Sequence, residues 1–324
     1  MSDSSGLYVV VLAGGISHER DVSLRSGRRV ADALVAAGHR VVLRDPDAGL
    51  LPFLVEERPD VVFPALHGSS GEDGSLLGLL DAIGIPTVGS SAAAARRAWS
   101  KPVASSLLGA SGASVPESIV LSHESFRELG AAGVLRVVRD ALPGDLVVKP
   151  AMGGSAQGVG IVTDPNDLPR AMVDAFTYSD VVVIERRIVG TEIAVGVIDT
   201  GDGPVALTPV EIEPTTGIYS FQARYNAGET TFYAPSRLDT AAIETVAAAA
   251  IHAHLTLGLR DLSRVDFIVD GAGVPWFLEA NVLPGLTETS LVPLAIDASG
   301  TDAATTYSGL VQAALARAGR NSKV

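Results

Sequence analysis

The sequence has 324 residues and no cysteine. The absence of cysteine excludes a disulfide framework, a thiol nucleophile and a thiolate metal site. If the protein binds a metal, the ligands must therefore be oxygen atoms or imidazole nitrogens.

Basic residues are scarce relative to acidic ones, with 24 Lys and Arg against 37 Asp and Glu and a formal net charge of −13. No long basic run is present, which argues against a nucleic-acid partner, because such binding needs clustered cations. An acidic membrane surface is disfavoured as well. Hydrophobic runs are also short: none approaches the roughly 20 residues that span a bilayer, and the first residues lack the basic region of a signal peptide. We therefore expect a cytoplasmic protein without membrane or nucleic-acid partners.

The first hundred residues alternate short apolar runs with helical patterns, which indicates a parallel sheet with crossover helices. The predicted elements of this small α/β domain are strands at 8–13, 41–44, 61–66 and 85–88 and a helix at 24–37. Residues 100–113 are predicted to form a connecting helix.

The rest of the sequence is richer in strands and predicts an α+β arrangement. The predicted strands are 146–149, 160–163, 181–185, 191–198, 205–210, 264–269 and 275–280, and the predicted helices are 240–257 and 303–318. Residues 213–236 show little periodicity, and such a long loop predicts a lid or a binding loop.

A glycine-rich segment, KPAMGGSAQGVG at 149–160, lies between two predicted strands. Glycines let backbone amides approach a phosphate closely, and Lys149 adds a positive charge. The segment lacks the Gly-Lys-Ser/Thr ending of a P-loop and does not open a helix as a dinucleotide-binding loop does. It predicts a hairpin that covers phosphates, with an ordinary hairpin as the alternative.

A second loop, 13–23, follows the first predicted strand and leads into the first helix. Anions are favoured at a helix N-terminus, but Glu19 is itself an anion, so it predicts recognition of an amine. The alternative is an acidic residue that only stabilises the first helical turn.

Three oxygen-bearing side chains, Asp266, Glu279 and Asn281, lie on two neighbouring predicted strands. Glu279 and Asn281 are two residues apart and share a sheet face, and a hairpin would bring Asp266 beside them. Mg²⁺ prefers such ligands, and buried carboxylates without a cation would be costly. The pattern predicts a magnesium site, with a solvated sheet face as the alternative.

Taken together, seven ordered blocks of this sequence resemble the D-alanine–D-alanine ligases of the ATP-grasp superfamily over nearly the whole length. The blocks are GGISHERDVS (14–23), ALHGSSGEDG (65–74), VKP (148–150), GS (154–155), ARY (223–225), RVD (264–266) and LEANVLPGLT (278–287).

The resemblance implies an N-terminal Rossmann-like domain over 1–100, followed by an ATP-grasp fold whose two subdomains cover 101–186 and 187–324. It also implies a reaction in which ATP phosphorylates the carboxylate of one D-alanine and the amine of a second D-alanine attacks the acyl phosphate. The products would be D-alanyl-D-alanine for peptidoglycan synthesis, ADP and phosphate. The implied cofactors are ATP and two Mg²⁺ or Mn²⁺ ions, and the implied assembly is a homodimer.

The resemblance also assigns roles to individual residues. The ATP site would comprise Lys101, Lys149, Gly154, Ser155, Glu185, Arg187, Ile188, Glu192 and Arg224, and the metal ligands would be Asp266, Glu279 and Asn281. The first D-alanine would contact Glu19 and His67, with Ser155 and Tyr225 in support, and the second would contact Ser290 and Leu291. Arg264 and the Gly285 amide would stabilise the oxyanion of the tetrahedral intermediate.

The chain departs from the family pattern at Ala156, where a second serine is usual, and at Arg224, where a lysine is usual. Arg224 keeps the positive charge but not the geometry of an ammonium group. Tyr225 favours an amine as the nucleophile. The alternatives are an ATP-grasp ligase that joins other D-amino acids or a specialised-metabolite precursor, and a nucleotide-binding relative without turnover, which the complete set of charged residues disfavours.

Overall fold

The structure, a computed structural model, describes residues 6–215, 217, 219, 223–224, 226 and 228–321. The strands are β1 (Tyr8–Leu12), β2 (Arg40–Arg44), β3 (Val61–Pro64), β4 (Ser118–Ser122), β5 (Leu146–Pro150), β6 (Gly160–Val162), β7 (Val181–Arg186), β8 (Gly190–Ile198), β9 (Val205–Ala206), β10 (Val210–Pro214), β11 (Thr230–Tyr233), β12 (Leu262–Asp270) and β13 (Pro275–Asn281).

The helices alternate with the strands in the first part of the chain and flank the sheets thereafter. They are α1 (Arg20–Ala36), α2 (Leu50–Glu57), α3 (Ser69–Glu72), α4 (Ser75–Ala82), α5 (Ala92–Trp99), α6 (Lys101–Ala110), α7 (His123–Leu129), α8 (Ala131–Ala141), α9 (Leu168–Phe176), α10 (Thr240–Thr256), α11 (Leu291–Ala298) and α12 (Ala303–Asn321). Within the described ranges, no helix combines the length and the apolar character that a membrane span requires.

The first sheet is parallel, in the order β2-β1-β3, as the alternating pattern predicted. Helix α1 packs closely on β1, because Gly27 has no side chain: a Cβ atom there would lie 2.3 Å from the Cβ of Ala13. The loops after β1 and β3 leave the same edge of the sheet, and they carry Glu19 and His67.

The second sheet is antiparallel, in the order β4-β7-β5-β6. Helices α8 and α9 bury residues at helical spacing, Val134 and Val138 on one and Leu168 and Met172 on the other. These side chains form a hydrophobic core with the strands of this sheet alone.

The third sheet has the order β11-β10-β8-β12-β13, with β9 pairing with β8. Its two faces pack into two hydrophobic clusters, and both clusters also contain side chains of the first sheet. The first and third sheets therefore form one packed body. The expected division at residues 100 and 186 stays a prediction.

Three sequence predictions were wrong in detail. The strand at 85–88 is reduced to a single bridge between Val62 and Thr87, and the strand at 205–210 is split into β9 and β10, with Pro209, which has no N–H to donate, between them. The loop at 213–236 contains strand β11, whose β-branched and aromatic residues pair with β10. Helices α2 to α5, α7 to α9 and α11 and strand β4 were not predicted individually.

A buried ion pair joins the first sheet, the third sheet and the last helix. Asp261 is 3% exposed and has a φ of +61°. Its Oδ2 atom accepts hydrogen bonds from the Gly89 amide at 2.7 Å and from Arg317 Nη2 at 2.8 Å. Arg317 also donates to the carbonyl oxygen of Thr87 at 3.0 Å.

We expect Arg317→Met to lower the free energy of unfolding by about 3 kcal/mol, because it leaves the Asp261 carboxylate buried and unpaired. Adding Asp261→Asn should restore part of the loss, since asparagine tolerates a positive φ and can still accept from Gly89. Urea unfolding of both variants checks this expectation. A double variant that is no more stable than Arg317→Met would contradict it.

Candidate active site

The β12–β13 hairpin brings the predicted metal ligands together. Asp266 is paired in register with Glu279, and Arg264 with Asn281, with a register shift after Asp266. Since these positions are two residues apart on each strand, all four side chains lie on the same sheet face. The neighbouring side chains Val265 and Phe267 point into a hydrophobic core on the opposite face.

Each carboxylate of the hairpin has a cationic partner. Arg264 donates from Nε and Nη2 to the two carboxylate oxygens of Asp266 at 2.7 and 2.8 Å. The Lys101 Nζ atom lies 3.0 Å from Glu279 Oε2. Asp266 is 4% and Arg264 9% exposed, so these charges are largely removed from water.

The charges control ionisation at the site. Burial alone would raise the pKa of Glu279, but the nearby cations Lys101, Arg224 and Arg264 outweigh it and lower the pKa to about 2. Burial would lower the pKa of Arg264, yet Asp266 raises it above its ordinary value. Both groups are therefore charged across the physiological pH range.

Lys101 also connects the hairpin with the glycine-rich loop. Its Nζ atom donates to the carbonyl oxygen of Gly153 at 2.8 Å, and its backbone amide donates to Ala151 at 2.9 Å. On the adjoining strands, the Nζ atom of Lys149 lies 2.7 Å from Glu185 Oε1, and both residues are buried. Lys149 thus begins the glycine-rich segment, and Lys101 contacts the segment at Gly153.

The glycine-rich loop has an unusual backbone. Ser155 and Ala156 have φ values of +52° and +53°, which non-glycine residues seldom adopt. At Gly158 a Cβ atom would lie 2.6 Å from the ring of Tyr178, so this position admits only glycine without rearrangement. The loop is shaped by close packing at one end and by left-handed residues at its tip.

A cavity of about 470 Å³ opens between the second and third sheets. Of the residues assigned to ATP by resemblance, it is lined by Lys101, Lys149, Gly154, Glu185, Arg187, Ile188, Glu192 and Arg224. Asp266 and Glu279 also line it. Ser155, the remaining residue of the set, lies outside this lining.

Arg224 projects a cation into the cavity. Its guanidinium carbon lies 4.2 Å from the ring centroid of Tyr219, a cation–π arrangement. Burial raises the pKa of Glu192 to about 7, although Arg224 opposes the shift. Arg187 also lines the cavity, and it forms an ion pair with Asp145 at 3.2 Å.

Glu19 and Ser155 meet beside this cavity, although they are far apart in sequence. The Ser155 hydroxyl donates to Glu19 Oε1. Gly68 has a φ of +69°, which favours glycine, and a Cβ atom there would lie 3.0 Å from Glu19 Oε2. The contact joins the loop after β1 to the glycine-rich loop, as expected if both contact one substrate.

His67 is buried, and both of its ring nitrogens have protein partners. Nε2 lies 3.1 Å from Ser26 Oγ, and Nδ1 lies 3.0 Å from the carbonyl oxygen of Leu283. Burial lowers the pKa of His67, and Glu19 only partly offsets this effect. Both ring nitrogens therefore help to hold two protein segments together, and the contact of His67 with the first D-alanine stays a prediction.

The residues predicted around the second substrate lie at the start of α11. Ser290 Oγ accepts a hydrogen bond from the Thr287 amide at 3.1 Å, and a Cβ atom on Gly285 would lie 2.8 Å from that same oxygen. The Leu291 side chain is 5% exposed and belongs to a hydrophobic core. The backbone amide of Leu291 lies in the first turn of the helix, where amides lack intrahelical partners. The placement of Ser290 and Leu291 around the second D-alanine stays a prediction. Tyr225 lies outside the described residues.

Sequence reasoning missed several groups at the site. Glu72 is buried near Glu19 and accepts a hydrogen bond from the Gly68 amide at 2.8 Å. Glu211, buried on β10, forms an ion pair with Arg237, and both line the cavity. An acidic residue between the apolar Val210 and Ile212 was a usable signal for Glu211, whereas nothing in the sequence separated Glu72 from an exposed residue.

The donor set at the hairpin fits Mg²⁺. Asp266, Glu279 and Asn281 present oxygen atoms from paired positions on one face, and the lowered pKa of Glu279 keeps its carboxylate ionised. Within the described ranges, no three His, Cys, Asp or Glu side chains form a metal-binding group. An ion held here would thus complete its shell with the Asn281 oxygen, water and phosphate oxygens, which is how Mg²⁺ is usually bound.

Comparisons with known proteins agree with this geometry. Residues 107–313 match the family described as the D-ala D-ala ligase C-terminus, and residues 53–90 match the D-ala D-ala ligase N-terminus. The D-alanine–D-alanine ligase of Anaeromyxobacter dehalogenans strain 2CP-1 is 42% identical over 295 residues, covering 90% of this chain and 92% of that protein.

Solved structures show the same fold. The D-alanine–D-alanine ligase from Coxiella burnetii superposes with a TM-score of 0.82 at 26% identity, covering 98% of this chain and 97% of that one. The Bacillus anthracis ligase complexed with ATP gives 0.80 at 27% identity, covering 98% and 100%. The fold is therefore the expected ATP-grasp fold, and the chain belongs to the D-alanine–D-alanine ligase family.

Proposed function

We propose that this protein uses ATP to join two D-alanines into D-alanyl-D-alanine, with ADP and phosphate as the other products. The observation that carries the proposal is that two sets of charged residues lie next to each other. The Arg264, Asp266, Glu279 and Lys101 cluster borders the cavity, and the Glu19–Ser155 contact lies at the tip of the same glycine-rich loop. Phosphate and amine recognition are thus adjacent, as the formation and use of an acyl phosphate requires.

ATP fits the cavity by charge and by shape. Lys149 and Lys101 flank the glycine-rich loop and would hold phosphate oxygens, and Arg224 adds a planar cation suited to a bidentate phosphate contact. Glu185, Arg187, Ile188 and Glu192 line the part of the cavity assigned to adenine and ribose. The structural match to the Bacillus anthracis ligase complexed with ATP supports ATP as the nucleotide.

Asp266, Glu279 and Asn281 would hold Mg²⁺ or Mn²⁺, as one ion or two. When bound, the metal would neutralise charge on the β- and γ-phosphates. The contacts of Asp266 with Arg264 and of Glu279 with Lys101 orient both carboxylates before any ligand arrives. This arrangement reduces the reorganisation that nucleotide binding would otherwise need.

Glu19 would bind the ammonium group of the first D-alanine. The neighbouring Glu72 has its pKa raised to about 8, chiefly by burial and further by the charge of Glu19. At neutral pH Glu72 therefore retains its proton. The Ser155 hydroxyl would fix the orientation of Glu19.

Arg264 and the Gly285 amide would stabilise the oxyanion that forms when the second amine attacks the acyl phosphate. Such preorganised donors act on charge as it develops. The carboxylate of the second D-alanine would bind near Ser290 and the N-terminus of α11, where the helix dipole favours an anion. These are effects of position and charge, and no side chain needs to act as a nucleophile.

We also infer a cytoplasmic homodimer. Support for the dimer comes from exposed apolar side chains on α4 and α6, two helices that both pack against α5: Leu79, Val103 and Leu107 are 50%, 43% and 37% exposed. Support for the cytoplasm comes from the substrates, because ATP is made and used there.

In a phosphate-release assay with ATP and Mg²⁺, D-alanine should stimulate turnover and yield the dipeptide, because its ammonium and carboxylate groups match Glu19 and α11. L-alanine and D-lactate should give little product, and D-serine tests tolerance at the second site. No stimulation by D-alanine would contradict the proposed function.

Glu279→Gln should reduce dipeptide formation at least about 100-fold, because it removes an anionic metal ligand and the partner of Lys101. ATP binding, measured by calorimetry without metal, should persist. Glu124→Gln, an exposed carboxylate on α7, serves as the matched control. Equal activity of the two variants would contradict the metal assignment.

Glu72→Gln should change how stability depends on pH. The Glu72 pKa is about 8 in the folded protein and ordinarily 4.5, so between these values the folded state binds a proton that the unfolded state lacks. The contribution of Glu72 to stability therefore falls as pH rises through this window. As pH rises through the window, the unfolding free energy of the variant should increase relative to that of wild type by up to about 1.4 kcal/mol per pH unit. Urea unfolding of both proteins at about pH 5 and about pH 8 tests this. The prediction is refuted if the unfolding free energy changes equally with pH in the two proteins.

A further inference from the structure

The segment 282–287, which carries Gly285, is packed against the N-terminal part of the chain. Every residue in it is buried except Gly285. The Leu283 side chain fits so closely that a Cβ atom on Gly71 would lie 2.9 Å from its Cδ1 atom. Gly285 is thus the one partly exposed position in this segment.

Two hydrogen bonds from the N-terminal part bracket Gly285. His67 Nδ1 lies 3.0 Å from the Leu283 carbonyl oxygen, and the Leu286 amide donates to Ser26 Oγ at 3.1 Å. Ser26 Oγ and His67 Nε2 are themselves 3.1 Å apart. The two anchors therefore form one connected unit, with only Pro284 and Gly285 between its points of attachment.

The proton positions in this unit follow from its partners. A carbonyl oxygen only accepts, so His67 Nδ1 must donate to Leu283, and in a neutral ring Nε2 is then an acceptor. The Ser26 hydroxyl can donate to Nε2 while its lone pairs accept from the Leu286 amide. Every donor and acceptor is satisfied when His67 is neutral, which is the state that its burial favours.

The arrangement is specific to Ser26. Helix α1 buries a second serine on the same face, Ser23, whose hydroxyl donates to the Ala65 carbonyl and accepts from the Gly14 amide. Ser23 thus connects strand ends within the first sheet, whereas Ser26 reaches a segment 260 residues away. A fully buried hydroxyl is costly without such partners.

We infer that Ser26 and His67 are positioning residues that fix the Gly285 amide for the ligation step. The inference rests on the proposed role of that amide at the oxyanion. Neither side chain contacts the reacting atoms in this role. They restrict the segment from both sides, and a displacement of about 1 Å at such a donor can cost about 100-fold in rate.

The test uses Ser26→Ala in the full-length protein. Dipeptide formation should fall roughly 10- to 100-fold, while the KM for ATP stays within about twofold. Positional isotope exchange in ¹⁸O-labelled ATP, which reports reversible formation of the acyl phosphate, should also stay within about twofold of wild type. The matched control is Ser263→Ala, which removes a hydroxyl from another buried serine–histidine pair, Ser263 and His254, at 2.8 Å. The control should retain both activities.

The inference would be overturned if Ser26→Ala formed dipeptide as fast as the control. It would also be overturned if Ser26→Ala lost isotope exchange and ligation equally. His67→Asn provides a second variant, since an asparagine amide can replace Nδ1–H as the donor to Leu283. It should retain more ligation activity than His67→Phe. Arg264→Lys separates the oxyanion assignment from the positioning role. If this variant leaves ligation intact, the oxyanion assignment fails. If it slows ligation while Ser26→Ala does not, only the positioning role fails.

Discussion

The paired charges of the β12–β13 hairpin are the constraint on which the site depends. Two carboxylates on a buried sheet face would carry a large desolvation cost without partners. Arg264 and Lys101 supply those partners. Arg264 lies two residues before Asp266 on the same strand, while Lys101 comes from a different part of the chain, the start of α6, and also binds the glycine-rich loop. The contacts of Lys101 therefore compensate a buried charge and assemble the site at the same time.

The remaining architecture serves to bring distant segments to this hairpin. The first and third sheets share two hydrophobic clusters, whereas the second sheet has a core of its own. Near the site, the second sheet meets the others through polar contacts such as Ser155 with Glu19 and Lys101 with Gly153. Apolar packing thus fixes the floor of the site, and hydrogen bonds and ion pairs hold the loop that covers it.

Much of the hairpin could be predicted because its logic is local. The two-residue spacing of Glu279 and Asn281 fixes a shared face, and a short turn fixes the partner strand. Strand β11 was also predictable, since Thr230–Tyr233 is a run of β-branched and aromatic residues. The contacts of His67 and the burial of Glu72 were not, because they depend on segments far away in sequence. The same holds for Leu291, whose side chain faces a core that only the folded chain defines.

The buried ion pair of Arg317 with Asp261 also affects the order in which the protein can fold as it is synthesised. Thr87 and Asp261 precede their common partner, Arg317, by at least 56 residues. Tyr307, on the same helix, fills the space beside Phe63. Until α12 leaves the ribosome, Phe63 lacks this covering ring and the Asp261 carboxylate lacks its cation. The nascent chain therefore exposes apolar surface late into translation, a period in which chaperone binding and aggregation compete with completion of the fold.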